Sequence, residues 1–179
     1  MSDPQREASG RLVSDIPGTT RDASDTTIRF QEKEYILVDT AGLRRQAKVE
    51  EGIEHYASMR TIQAVEDADV TVLVLDATQP VSRQEKRIAS MAIEEGKGLI
   101  LLLNKSDLLT AEQKKEKAKE FRAAFPFCRF APILGCSAKT RDGLLKLFPL
   151  IETVAANRQR RIATKDLRRW FESAVQGKP

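Results

Sequence analysis

The stretch that decides the fold is an apolar run followed by small and polar residues, and it reads Tyr35-Ile36-Leu37-Val38-Asp39-Thr40-Ala41-Gly42-Leu43. An unbroken apolar run of this length is typical of a parallel strand buried on both faces. Open α/β sheets bind ligands beyond the carboxyl ends of such strands. Asp39 can therefore hold a metal ion through water, and the Gly42 amide can meet a terminal phosphate. The alternative is an ordinary exit from a strand.

Three later apolar runs repeat this pattern, and helical spacing fills the segments between them. Strands are predicted at 70–75, 99–103 and 130–134, and polar residues follow each. Helices are predicted at 53–65, 81–95, 111–124, from 143 past 156, and at 165–175. Residues 26–30 form a predicted hairpin with the strand before Asp39, joined by residues 31–34. Right-handed crossovers then bring the polar loops to one edge of a mostly parallel sheet.

Composition allows one soluble domain with a single core. The chain has 179 residues, of which 41% are hydrophobic and 31% charged, and its net charge is +4. No run approaches the roughly 18 apolar residues of a membrane span, and residues 1–7 lack the apolar core of a signal peptide. We therefore expect a cytoplasmic protein. Its balance of charge permits an acidic partner without requiring one.

Neither the cysteines nor the histidine predicts a metal site. Cys128 and Cys136 are expected to be buried, reduced thiols, with a disulfide as the less favoured alternative. The single histidine, His55, has no second histidine or cysteine at ligand spacing, so we assign it neither a metal nor a role as a base.

A polar motif, Asn-Lys-x-Asp, follows the strand predicted at 99–103. Asn104 and Lys105 are followed, one residue later, by Asp107. A carboxylate at Asp107 can accept the ring N–H and the exocyclic amine of guanine, a pair that adenine does not offer. The stem of Lys105 can lie flat over the base. A surface turn built from Asn and Asp is the alternative.

With these motifs the chain resembles the TrmE-Era-EngA group of translation-factor-related GTPases, and within that group the second GTPase domain of the Der (EngA) family. The matching motifs are switch I at 17–22, switch II at 39–43, the guanine motif at 104–107 and the last base-contacting loop at 137–139. The likeness covers about residues 11–178, with Ser106 where Der usually has Trp. It implies a P-loop NTPase-type doubly wound sheet, mostly parallel with one antiparallel hairpin strand.

The resemblance also implies site residues. Thr20 and Asp39 would bind Mg²⁺, and Thr20 and Gly42 would be the catalytic positions. Leu43 stands where Ras-like enzymes keep a water-orienting Gln, so hydrolysis would depend on a cation, on backbone groups or on another residue. Ser14, Ile16 and Thr19 match a loop that holds an activating K⁺. The residues that would bind GTP or GDP are Asp39, Thr40, Ala41, Gly42, Leu43, Asn104, Lys105, Asp107, Ser137, Ala138 and Lys139.

The first motif of these GTPases, Gly-x-x-x-x-Gly-Lys-Ser/Thr, is absent from the 179 residues. We therefore expect the usual first strand and first helix to be lacking, and nucleotide binding to be weakened or lost. In the family's sheet the first strand lies between the strand before Asp39 and the strand after Asp69. We expect the gap to be filled by Leu12-Val13, by a swapped strand, or by the rest of a longer chain.

These observations divide the chain into a mobile leader at 1–10, an incomplete GTPase domain at 11–157, and a basic linker with the start of a KH-like domain at 158–179. The preferred function is GTP hydrolysis to GDP and phosphate in assembly of the large ribosomal subunit, with rRNA and a partner GTPase or KH-like domain as partners. The alternative is a nucleotide-free scaffold module that binds RNA or protein. The basic segment is either an RNA-facing linker or a solvated helix between domains.

Overall fold

The computed structural model describes residues 25–38 and 54–176. The first described part is a hairpin of β1 (Thr26–Phe30) and β2 (Lys33–Leu37), paired antiparallel from Thr26 opposite Leu37 to Phe30 opposite Lys33. Gln31 and Glu32 form its turn with φ of 47° and 62°. Positive φ at both central residues fits the twist of two-residue hairpin turns. The predicted hairpin is confirmed, with a shorter turn than expected.

The next elements are α1 (Glu54–Asp67), β3 (Val70–Asp76), α2 (Arg83–Glu94) and β4 (Gly98–Asn104). Helix α2 begins with a capping box, in which the Ser82 hydroxyl accepts the Glu85 N–H and the Glu85 carboxylate accepts the Ser82 N–H. Gly96, at φ 64°, turns the chain from α2 into β4. These elements agree with the predicted strands and helices.

The remaining elements are α3 (Ala111–Ala124), β5 (Ile133–Gly135), α4 (Leu147–Gln159) and α5 (Thr164–Gln176). Thr110 caps α3 in a capping box with Gln113, and the helix has the predicted bounds. The strand predicted at 130–134 is wrong at its start, because Phe130 lies before β5 and is 68% exposed. A 3-10 turn over Pro126–Cys128 occupies the chain just before it.

Strand β4 is the centre of a parallel sheet with the order β3-β4-β5. Its first six residues are buried, because it has a strand on each side, α2 on one face and α4 on the other. Leu75, Leu99 and Leu101 form the core with Phe121 and Phe125. The fold class is therefore confirmed as α/β, with a mostly parallel sheet and one antiparallel pair.

The prediction that the strand at 35–38 is buried on both faces is wrong. Ile36 is 47% exposed and Leu37 is 39% exposed. Within the described residues β2 pairs only with β1, and the hairpin is not hydrogen-bonded to the three-stranded sheet. Val74, in the middle of β3, is 56% exposed, because β3 pairs only with β4 among the described strands. None of the described strands lies between β2 and β3, and Leu12-Val13, one of the expected occupants of this position, lie outside the described residues.

Side chains of α4 hold the hairpin. The ring of Phe148 stacks on Phe30 with centroids 4.2 Å apart and meets Tyr35 edge-on at 5.1 Å. The Glu152 carboxylate accepts Lys33 Nζ at 2.5 Å and Tyr35 Oη at 2.9 Å. Both bonds lower the pKa of Glu152, and the bond from Lys33 has the larger effect. Helix α4 therefore connects β2 to the parallel sheet.

Helix α5 has an apolar side that is exposed along its length. Its exposed large apolar residues are Leu167, Trp170, Phe171 and Val175, and Trp170 is 64% exposed.

Both cysteines are free and buried, so the prediction of two reduced thiols is confirmed. Burial raises the pKa of each thiol. No helix in the described part of the chain is long and apolar enough to cross a membrane.

Candidate guanine-nucleotide site

The carboxyl ends of the three parallel strands bring three polar loops to one edge of the sheet. Asp76, the last residue of β3, pairs with Asn104, the last residue of β4. Leu103 pairs with Gly135, the last residue of β5. The loops that follow therefore start side by side, as expected for parallel strands with right-handed crossovers.

Asn104 joins the loops after β3 and β5. Its backbone oxygen accepts the N–H of Ala77 at 2.9 Å, and its side-chain Oδ1 accepts the N–H of Ala138 at 2.9 Å. Because Oδ1 faces Ala138, the side-chain Nδ2 remains to donate to a ligand. The N–H of Ala138, a residue that the resemblance implies in nucleotide binding, is bonded to Asn104 in this structure.

The loop after β5 is closed by its own hydrogen bonds. Ser137 is fully buried; its N–H donates to the Asp142 oxygen at 2.9 Å, and its Oγ accepts the Thr140 N–H at 3.1 Å. Gly143 has φ of 74°, and a Cβ there would lie 2.5 Å from the Gly135 oxygen. Ser137 thus shapes the loop from inside, and Ala138 and Lys139 are the exposed residues beside Asn104.

The guanine motif turns sharply after β4. Lys105 adopts φ of 63°, and Ser106–Leu108 form a 3-10 turn. The buried Ser106 donates its N–H to the Cys136 oxygen at 2.9 Å, which fixes the turn against the end of β5. Asp107 is exposed, and no other described residue forms a hydrogen bond or ion pair with its carboxylate.

Asp76 holds the side chain of Lys105. Its Oδ2 accepts Lys105 Nζ at 2.5 Å, and its Oδ1 accepts both the N–H and the hydroxyl of Thr78, at 2.9 and 2.7 Å. These bonds lower the pKa of Asp76 to about 2, and the bond from Lys105 has the largest effect. In the sequence Asp76 follows a predicted strand, and Asp76-Ala77-Thr78-Gln79 fits the resemblance to Der, but neither observation gave Asp76 a role in the site. One signal in the sequence could have indicated a role in the site. Asp76 is a polar residue directly after a predicted buried strand, and Asn104 has the same position after the next strand.

The other predicted site residues lie outside the described residues. They are Ser14, Ile16, Thr19, Thr20, Asp39, Thr40, Ala41, Gly42 and Leu43. The described chain thus brings together the guanine side of the predicted site: Asn104, Lys105, Asp107, Ser137, Ala138 and Lys139. Within the described ranges, no group of three or more His, Cys, Asp or Glu side chains could hold a metal ion.

A parallel α/β sheet whose strand ends carry a guanine motif is typical of guanine-nucleotide-binding domains. Residues 6–105 match the family model described as 50S ribosome-binding GTPase, which is more than half of the chain. The chain belongs to this family.

The curated relatives that match include proteins named GTPase Der. That of Agathobacter rectalis is 45% identical over 92% of this chain and 38% of its own length. That of Natranaerobius thermophilus is 41% identical over 94% of this chain and 39% of its own length. The predicted resemblance to the Der (EngA) family is confirmed. The chain spans about two fifths of the length of these relatives.

Solved structures share the fold at low identity. Elongation factor SelB of Methanococcus maripaludis, in complex with a GTP analogue, matches with a TM-score of 0.60 and 19% identity over 77% of this chain and 28% of its own. Era, in complex with MgGDPNP and a segment of 16S ribosomal RNA, matches with a TM-score of 0.60 and 22% identity over 80% of this chain and 47% of its own. These similarities support the predicted GTPase-type sheet.

Proposed function

We propose that this chain is a guanine-nucleotide-binding domain of a ribosome-biogenesis GTPase that converts GTP and water to GDP and phosphate. The observation that carries the proposal is the gathering of Asn104, Asp107 and Ala138 at one edge of the sheet. Membership of the 50S ribosome-binding GTPase family supports it.

The described groups fit guanine chemically. Asp107 offers an exposed carboxylate with no ion partner in the described chain, and it can accept the ring N–H and the amine of guanine together. Asn104 Nδ2 can donate to a ring nitrogen. The Ala138 N–H can donate to the guanine carbonyl once it is shared with, or released from, Asn104 Oδ1. Lys105 stands beside Asn104 to cover one face of the base.

Phosphate and metal binding belong to the part of the proposal that rests on the resemblance. Thr20 and Asp39 are proposed to hold Mg²⁺, the Gly42 amide to meet the γ-phosphate, and Ser14, Ile16 and Thr19 to hold K⁺. Strand β2 ends at Leu37, two residues before Asp39, and α4 holds that strand through Phe148 and Glu152. The hairpin is therefore the element that would deliver Asp39.

We also propose that these 179 residues alone bind GTP weakly, because they contain no Gly-x-x-x-x-Gly-Lys-Ser/Thr motif. That motif supplies several amides, a lysine and a hydroxyl to the phosphates and Mg²⁺. Loss of four charge-assisted bonds at about 1.5 kcal/mol each lowers affinity by roughly four decades. Isothermal titration with GTP and Mg²⁺ tests this, and a sub-micromolar dissociation constant would refute it.

Base selectivity tests nucleotide binding itself. We expect the chain to bind GDP more tightly than ADP in titrations followed by NMR. Asp107→Asn should weaken GDP binding at least about tenfold, because it replaces two charge-assisted acceptor bonds. It should improve binding of xanthosine diphosphate, whose carbonyl can accept from the new amide. Glu116→Gln, which removes a carboxylate from an exposed pair with Lys119 on α3, is the matched control. Equal affinity for GDP and ADP would contradict the proposal.

The basic C-terminal segment supports binding to ribosomal RNA. We propose the division 11–157 for the GTPase domain and 158–179 for a linker and the start of a KH-like domain. Arg158, Arg160, Arg161 and Lys165 are all exposed, and Arg158 also bonds to Asp69 and to the Gly96 oxygen. Arg160→Gln with Arg161→Gln should weaken rRNA binding and reduce its salt dependence. Lys114→Gln with Lys115→Gln on α3 is the control, and an equal effect of both pairs would argue against this interface.

The exposed apolar side of α5 favours a second candidate function, a scaffold module that binds protein or RNA without nucleotide. Trp170 and Phe171 are both more than half exposed beside the basic segment. A partner GTPase or KH-like domain is the proposed occupant. If the chain binds neither GDP nor guanosine but still binds rRNA, this second function replaces the first.

A further inference from the structure

We propose that Asp76 is a positioning residue for guanine recognition, because its carboxylate fixes the ammonium of Lys105 and thereby directs the Lys105 stem beside Asn104 and Asp107. This inference rests on the proposed function. It adds to the guanine site a residue from the neighbouring strand, outside the guanine motif itself.

The register of the β3–β4 pair brings Asp76 and Lys105 close enough for this contact. Asp76 lies directly opposite Asn104 in the β3–β4 pair, and Lys105 is the next residue along the chain. Its ammonium crosses to the end of β3 and meets Asp76 Oδ2 at 2.5 Å. The contact is therefore built into the ends of two paired core strands.

The carboxylate that receives Lys105 is itself held in place. Thr78 donates both its N–H and its hydroxyl to Asp76 Oδ1, which leaves Oδ2 directed to Lys105. The side chain of Asp76 is 27% exposed, whereas that of Lys105 is 53% exposed. Asp76 thus offers a fixed, charged acceptor to a more exposed partner.

The backbone end of Lys105 is fixed as well. Its φ of 63° turns the chain out of β4, and its oxygen accepts the Leu108 N–H at 3.1 Å. The four-carbon stem is then held at both ends, along the edge where Asn104 and Asp107 stand. A lysine that is ordered before binding does not lose its rotamer freedom on binding, an advantage of up to about tenfold in affinity.

The competing explanation is that Asp76 only stabilises the turn at 76–79 through Thr78. A double-mutant cycle separates the two roles, because a turn-stabilising role does not depend on the ammonium of Lys105. Lys105→Met keeps a long apolar stem and removes the charge. Asp76→Asn keeps the shape and removes the charged acceptor.

The experiment is a titration of the full chain with guanosine followed by NMR, since guanosine carries the base and no phosphate. We expect Asp76→Asn to raise the dissociation constant about three- to tenfold. Glu116→Gln should leave it unchanged, and Asp76→Asn should have no further effect in the Lys105→Met background. A second readout needs no ligand: the Lys105 ε-methylene protons, inequivalent in the unaltered chain, should become equivalent in Asp76→Asn.

Every other outcome contradicts either the positioning role of Asp76 or the proposed function. If Asp76→Asn binds guanosine as Glu116→Gln does, or if its effect persists with Lys105→Met, the positioning role is wrong and the proposed function stands. Unchanged ε-methylene signals in Asp76→Asn also overturn it. If the unaltered chain binds neither guanosine nor GDP, the proposed function itself fails.

Discussion

The side-chain oxygen of Asn104 accepts the backbone N–H of Ala138 at 2.9 Å, so one hydrogen bond joins the end of β4 to the loop after β5. The two residues are 34 positions apart in the chain. Both belong to motifs that the sequence assigns to guanine. Their bond means that the end of β4 and the loop after β5 are held together by the chain itself.

We expect Asn104→Ala to loosen this edge. The change leaves the Ala138 N–H without its acceptor, which costs about 1 kcal/mol of unfolding free energy. Asn104→Asp keeps an oxygen at the same place and should largely retain the bond. Hydrogen exchange measures it directly: the Ala138 amide should exchange faster in Asn104→Ala than in Asn104→Asp. Equal rates in the two variants would mean that the bond is not formed in solution.

We expect Gly143→Ala to destabilise the chain by about 3 kcal/mol or more. Gly143 has φ of 74°, and a Cβ there would lie 2.5 Å from the Gly135 backbone oxygen, so strain adds to steric overlap. Gly96→Ala is the matched control, because Gly96 has φ of 64° with open space around the added carbon. It should cost only about 1 kcal/mol. Urea unfolding compares the two, and similar losses would show that the loop after β5 yields to the added atom.

We expect Phe148→Ala to release the hairpin from α4. The ring contacts both Phe30 and Tyr35, and loss of a partly buried aromatic cluster costs about 2 kcal/mol. The readout is hydrogen exchange of the β1 and β2 amides, which should rise more than exchange in β4. Phe130→Ala removes an exposed ring and should change stability by less than about 0.5 kcal/mol. Unchanged exchange in β1 and β2 would show that Glu152 alone holds the hairpin.

We expect the contribution of Asp76 to stability to disappear in acid. Bonds from Lys105 and Thr78 lower its pKa from 3.8 to about 2 in the folded chain. A lowered pKa stabilises the folded state above the unfolded pKa, and this stabilisation is lost as the pH falls through the folded pKa. The stability difference between the unaltered chain and Asp76→Asn should therefore be full near about pH 5 and vanish toward about pH 2. Urea unfolding across this range measures it, and a difference independent of pH would contradict the ion pair.

Local patterns were sufficient for most elements. Thr110 begins one helix and Gly96 follows the end of another, and both signals depend on nearby backbone groups alone. The helix start at 111 is as predicted, and the helix end at 94 is one residue from the predicted one. The two errors concern apolar residues that no described element covers. Leu37 and Phe130 are apolar, yet apolar character predicts burial only where another element covers the residue.

The amino-acid sequence was enough to predict the order of strands and helices and the residues that follow the buried strands, because strand and cap signals are local and chirality orders the crossovers. It therefore indicated Asn104, Asp107 and Ala138 as neighbours at one edge. The pairing of Asp76 with Lys105, and of Glu152 with Lys33 and Tyr35, became visible only in the folded chain. Those pairs depend on strand register and helix packing, which join residues 29 to 119 positions apart and leave no pattern in a local stretch of sequence.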